Sequence, residues 1–199
     1  MTHVLPIAGG KGGIGKTLFA ANLGVALAKL GKTTVLIDLD LGSSNLHTCL
    51  GIKNTNPGIG SYIYKKVTDF QALIMETEVE KLFFIPGDSL FPGTANLPFF
   101  TKRKILKEIS SLPADFVILD LGAGSAYNTI DFYLSTSSGI ILTTPETTAI
   151  LSAYSFLKST VYRLLFRSFK AKSEEREIIK RFISEPIEGS SSTFTDLVP

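Results

Sequence analysis

Short apolar runs alternate with longer helical patterns along this chain. His3–Ala8, Thr33–Asp38, Leu82–Ile85, Phe116–Leu119 and Gly139–Thr143 are runs of mostly aliphatic residues with little polar alternation. Such runs predict strands covered on both faces. Between and after them, Lys16–Leu30, Asp69–Glu80 and Lys102–Ser111 read as helices, and Thr147 to about Ile183 is helical with a break near Ala171–Ser173. Gly31-Lys32, Asn54–Gly58, Pro86–Asp88, Pro92-Gly93 and Gly122–Gly124 carry loop residues. Strands and helices in alternation predict an α/β fold, a mainly parallel twisted sheet with helices on both faces. Residues 1–183 read as one nucleotide-binding domain and the Ser-rich stretch 184–199 as a flexible tail. No strand is read after the long helical segment, so the domain is expected to be incomplete at its C-terminal end.

Composition narrows the possibilities. The chain has 199 residues, 44% hydrophobic and 19% charged, and its mean hydropathy is +0.25. A charge-poor, apolar chain of this length buries a core and is not disordered. The net charge of +2 gives no argument for nucleic acid from bulk charge, and no specific nucleic-acid partner is expected. One cysteine excludes an internal disulfide and a CxxC pair, and two histidines argue against a zinc site. The start has no basic region and its apolar run stops at Gly9, unlike a signal peptide. A cytoplasmic protein is expected.

The strongest local signal is Gly10-Lys11-Gly12-Gly13-Ile14-Gly15-Lys16-Thr17, which fits G-x-x-x-x-G-K-[ST]. It follows a predicted strand and opens a predicted helix, the context a phosphate-binding loop requires. Glycines let successive backbone N–H groups turn inward around phosphate oxygens, and the helix N-terminus adds positive potential. Lys16 is placed to reach the β- and γ-phosphates and the Thr17 hydroxyl to ligate Mg2+. The motif therefore predicts a P-loop NTPase that takes a nucleoside triphosphate with Mg2+.

Two acidic stretches follow. In Asp38-Leu39-Asp40-Leu41-Gly42, carboxylates at i and i+2 point the same way from a strand end. At the carboxyl end of a parallel strand they face the ligand crevice, one beside Mg2+ and the other orienting water. Phe116-Val117-Ile118-Leu119-Asp120 is an apolar strand that delivers Asp120 to the Mg2+ shell, and Gly122 and Gly124 let the next loop approach the γ-phosphate. His47 and Cys49 are too few for a metal site and read as a surface histidine and a packed cysteine.

Lys11 is a second lysine that an ordinary phosphate loop does not need. With it, the motif resembles the deviant phosphate loop of the MinD/ParA family of ATPases. Asp38–Gly51, Leu82–Gly87, Asp120–Gly124 and Thr143–Thr148 with Ala153–Lys158 are similar to the flagellar-number branch of that family, the FlhG/FleN group. The resemblance implies that Lys11 reaches across a nucleotide-sandwich homodimer to the partner's phosphates. It implies that Gly12 leaves room at that contact and that Asn45 lies near it. It makes Asp40 the catalytic carboxylate that positions water, with Asp38 supporting the metal. An ATP-dependent homodimer with a protein effector is thereby implied, acting in placement of flagella or of the division site. The adenine-reading asparagine and C-terminal membrane helix of such relatives have no evident counterpart here.

Lys158–Arg181 holds eight basic and three acidic residues, with Val161, Leu164, Leu165 and Phe169 at helical spacing. A basic amphipathic helix can lie on an anionic membrane or on nucleic acid; packing on the sheet or on a partner, with a solvated basic face, is the favoured reading. The leading functional expectation is an ATP-driven switch. The alternative is a nucleotide-responsive regulator with negligible turnover. A reductase of the iron-protein type is disfavoured, because Cys49 alone cannot bridge a cluster.

Overall fold

The computed structural model describes residues 2–41, 43–54, 56–87 and 97–184. Gly42, the Pro92-Gly93 loop signal and the tail beyond residue 184 lie outside the described residues. Compactness divides the chain into two units, Met1–Phe156 and Leu157–Pro199.

The first unit is built on six strands: β1 (His3–Ala8), β2 (Thr34–Leu39), β3 (Met75–Glu76), β4 (Leu82–Ile85), β5 (Phe116–Leu121) and β6 (Ile140–Ile141). Their order is β3-β4-β2-β5-β1-β6, with every pairing parallel except the antiparallel β3–β4. Five helices belong here: α1 (Lys16–Lys29), α2 (Leu46–Cys49), α3 (Ile59–Ile63), α4 (Phe99–Ser110) and α5 (Tyr127–Tyr133). A sixth, α6 (Thr147–Ser168), begins in this unit and runs past its boundary.

Side-chain alternation divides the continuous apolar strands between two cores. Ile7, Leu36, Leu82, Phe84 and Ile118 pack against Ala20, Ala21 and Ala28 of α1. Val35, Ile37, Leu39, Val117, Leu119 and Leu121 pack on the other face with α3, α4, α5 and Phe156. The helices therefore cover both faces of the sheet, as expected. Small residues let α1 come close: a Cβ on Gly24 would lie 3.0 Å from Leu36. On the opposite face, Lys102 of α4 donates to Asp131 of α5 as a buried ion pair. A second tie there runs from Leu97 N–H to Asn128 Oδ1 at 3.1 Å.

One expected helix is absent. Over Asp69–Glu80 the chain forms only a 3-10 turn, Gln71–Leu73, and then β3. Side chains compete here with the helical backbone bonds. Asp69 accepts from Gln71 N–H at 3.0 Å, and Thr77 Oγ1 accepts from Val79 N–H at 3.1 Å while donating to Leu82 O at 2.9 Å. Phe70 and Leu73 are buried from this irregular stretch. The short helices α2, α3 and α5 fall where no helical period was legible.

In the second unit, the end of α6 is followed by α7 (Glu174–Ser184). The predicted break is present, with Lys172 at φ 65° between the two. Arg176 stacks over the Phe166 ring, 4.5 Å from its centroid. Among the described residues no helix is long and apolar enough to cross a membrane.

Candidate functional site at the carboxyl ends of the strands

The loop from β1 to α1 has the backbone that its glycines permit. Gly13 and Gly15 have φ of 77° and 89°, a region that disfavours side chains. Gly15 caps α1 without a side-chain acceptor, and no acid lies in the helix's first turn. Lys16 is buried there, at 7% exposure. Unneutralised amides and a buried ammonium make this end of α1 an anion site.

Strand register brings the acids to it. Asp38 and Asp120 are direct neighbours across β2 and β5, and Ile7 of β1 pairs with Asp120 on its other side. By alternation both carboxylates share the side of Leu36 and Ile118, the face that α1 covers. Their surroundings differ. Asp120 hydrogen-bonds the Thr17 hydroxyl, while its Oδ1 is buried with no hydrogen-bond partner. Burial pushes its pKa up to about 7, against the Thr17 bond and the Lys16 charge; Asp38 and Asp40 add to the rise. Asp38 instead accepts from Ser44 Oγ at 2.6 Å, Leu46 N–H at 3.1 Å and Asp40 N–H at 3.1 Å. Burial raises its pKa too, and these three bonds oppose that rise.

Asp40 stands half-buried just past β2. It faces the loop after β5: a Cβ on Gly122 would meet Asp40 Oδ1 at 3.1 Å. That loop is tied to the start of the phosphate loop by Gly124 N–H donating to Gly9 O at 3.2 Å. Gly10 abuts α6, where a Cβ would come within 1.9 Å of Ser152 O. At Gly12 a Cβ would meet nothing nearer than Ala123 Cβ at 4.0 Å, so packing within the chain does not require glycine there.

Lys16, Thr17, Asp38, Asp40, Asp120 and Gly122 thus converge at one end of the sheet. Lys11 turns aside, its Nζ donating to Glu146 Oε2 at 2.9 Å and Thr148 Oγ1 at 3.1 Å. Ser44 and Glu146 touch these residues as well, and neither was given a chemical role from the sequence. Glu146 sits in the Thr143–Thr148 stretch that signalled the family; Ser44 carried no signal beyond its nearness to Asp38. The reading of His47 and Cys49 is corrected: the histidine is half-buried with Nδ1 unpartnered and the cysteine is exposed. The α2 helix is a single turn and turns His47, not Cys49, inward.

The donor set fits Mg2+. A hydroxyl and a buried carboxylate oxygen without a partner are hard ligands beside an anion site, and Mg2+ completes its octahedron with phosphate and water. Among the described residues no three His, Cys, Asp or Glu side chains form a metal cluster by themselves.

Comparison with known proteins agrees with this geometry. Residues 5–185 match the family model described as the CobQ/CobB/MinD/ParA nucleotide binding domain. The chain is 31% identical to the flagellum site-determining protein YlxH of Helicobacter pylori, over 96% of this chain and 62% of that relative. It is 34% identical to the septum site-determining protein MinD of Thermotoga maritima, over 77% of this chain and 56% of that relative. The chain therefore spans about six-tenths of the length of these relatives. Among solved structures, the septum site-determining protein MinD of Pyrococcus horikoshii, complexed with Mg-ADP, superposes with a TM-score of 0.67 at 26% identity. That match covers 94% of this chain and 79% of the other.

Proposed function

The chain belongs to the CobQ/CobB/MinD/ParA nucleotide-binding family, and from that premise we propose that it is an ATP-driven switch in spatial positioning. It binds ATP with Mg2+, pairs with a second copy while ATP is bound, engages a protein effector, and separates after hydrolysis. The observation that carries this reading is the buried, unpartnered Oδ1 of Asp120 beside Thr17 and the Lys16 anion site.

Thr17 and Asp120 would hold the magnesium, which draws charge from the phosphate oxygens when bound. Lys16 balances the triphosphate and holds its terminal groups in place. Asp40, next to Gly122, orients the attacking water and takes up its proton. Lys11 leaves Glu146 to meet the partner's phosphates, a change of partner that an exposed ion pair permits at little cost. The open space at Gly12 supports close approach of a second copy on that side. The names of the flagellum and septum relatives favour placement of a cellular structure as the process.

Solution mass with ADP, ATP and a non-hydrolysable analogue, run beside phosphate release, tests the reading. A monomer with ADP, a dimer with the analogue, and phosphate release that Asp40→Ala suppresses are expected. No uptake of ATP by folded protein would overturn it. Binding without phosphate release over hours would select a regulator that does not turn over.

A further inference from the structure

The turn that carries Asp40 is closed by buried polar groups. Asp40 N–H donates to Asp38 Oδ1 at 3.1 Å, and Ser43 N–H donates to Asp40 O at 3.0 Å. The other oxygen of Asp38 receives the Ser44 hydroxyl at 2.6 Å and Leu46 N–H, the first amide of α2, at 3.1 Å. Asp38 has no exposed surface and Ser44 only 9%. The chain leaving β4 closes over them: a Cβ on Gly87 would lie 2.8 Å from Asp38 O and 2.9 Å from Ser44 Oγ. Three donors occupy most of the lone-pair capacity of one carboxylate.

We propose that Ser44 is a positioning residue: its hydroxyl fixes Asp38 so that Asp38 in turn holds the backbone of Asp40, aiming the Asp40 carboxylate at the loop of Gly122. This deepens the reading of Asp40 as the water-orienting group and rests on it. Asp38 then acts through hydrogen bonds to its own loop, not as a ligand of magnesium. The Ser44 bond, at 2.6 Å, is the shortest of the three that meet Asp38. Its loss leaves Asp38 held by the amides of Asp40 and Leu46 alone, which loosens the carboxylate and with it the amide that sets the direction of Asp40.

Ser44→Ala tests this, with Asp40→Ala beside it, in the full chain. Four quantities are read: kcat for ATP, KM for Mg-ATP, the Mg2+ concentration at half-maximal rate, and deuterium exchange at the amides of Asp40 and Leu46. Ser44→Ala is expected to lower kcat about tenfold, the order seen when a residue supporting a site is removed. KM and the Mg2+ requirement stay within about twofold, because the phosphate loop and Asp120 are untouched. Both amides exchange faster as their acceptor loosens. The proposal falls if kcat is unchanged, or if the two amides keep their protection. It also falls if the Mg2+ requirement rises in step with the lost rate, which would put Asp38 in the metal shell. Hydrolysis that survives Asp40→Ala removes the function assigned to Asp40 and overturns both readings; the exchange rates then separate that failure from a missing clamp.

Discussion

Two aspartates stand side by side at the ends of β2 and β5, equally buried, and differ in the donors that meet them. Asp38 is met by a hydroxyl and two amides, which oppose the rise in pKa that its burial causes. Asp120 has one hydroxyl and an oxygen that touches no donor. A buried polar atom without a partner costs free energy, and such atoms persist where a ligand supplies the missing contact. On the reading proposed above, the first acid holds a loop and the second a cation. Burial and strand position are shared, so the neighbouring donors are what separate the two.

Four experiments can break or sharpen that contrast. The largest effect is expected from Asp120→Asn, which should lower Mg-dependent phosphate release by about a hundredfold, the scale of losing one preorganised charge at a reacting centre; steady-state assay checks it. Asp38→Ala should leave three donors, two of them buried, without an acceptor and destabilise the chain by about 2–4 kcal/mol, read by urea unfolding. Asp120→Asn, by contrast, should hold or raise the stability of the nucleotide-free chain in the same assay. If both substitutions destabilise equally, the contrast fails.

The third is a pH dependence. Asp120 has its folded pKa raised to about 7 from 3.8. The folded chain therefore binds a proton that the unfolded chain has released. The stabilisation from that proton is full below the unfolded value and is lost as pH rises through the folded one. Thermal midpoints of the metal-free chain should fall between about pH 4 and 8, part of that fall vanishing in Asp120→Asn or with saturating Mg-nucleotide. The smallest effect is expected from Glu146→Gln. It removes an exposed ion pair to Lys11, 41% and 64% exposed at its two side chains, and should change stability by less than about 0.5 kcal/mol. An unfolding shift well above that would mean Lys11 is held more firmly than its exposure implies.

The sequence was most legible where a period or a fixed spacing carried the signal. Continuous apolar strands identified β1, β2, β4 and β5, and the Gly-Lys-Thr spacing singled out the loop that the fold sets between β1 and α1. The single turns of α2 and α3 are shorter than a helical period needs to declare itself. The error over Asp69–Glu80 arose because Asp69 and Thr77, polar residues tolerated on a helix surface, instead bond to nearby backbone. Asp38 and Asp120 were legible as strand-end acids, but nothing in their spacing distinguishes a satisfied carboxylate from an unsatisfied one. That depends on Ser44, whose role exists only once the loop has folded back, and Glu146 lies 135 residues from Lys11 in the chain.

The contact of Gly10 with the Ser152 carbonyl has a mechanical consequence. Main chain rests on main chain there, with no side chain between them to yield by changing rotamer. A contact of this kind has little give, so it fixes how far the loop at Gly10 stands from the first turns of α6. Replacing Gly10 by alanine would wedge that joint apart, because the added methyl would lie 1.9 Å from the Ser152 carbonyl oxygen.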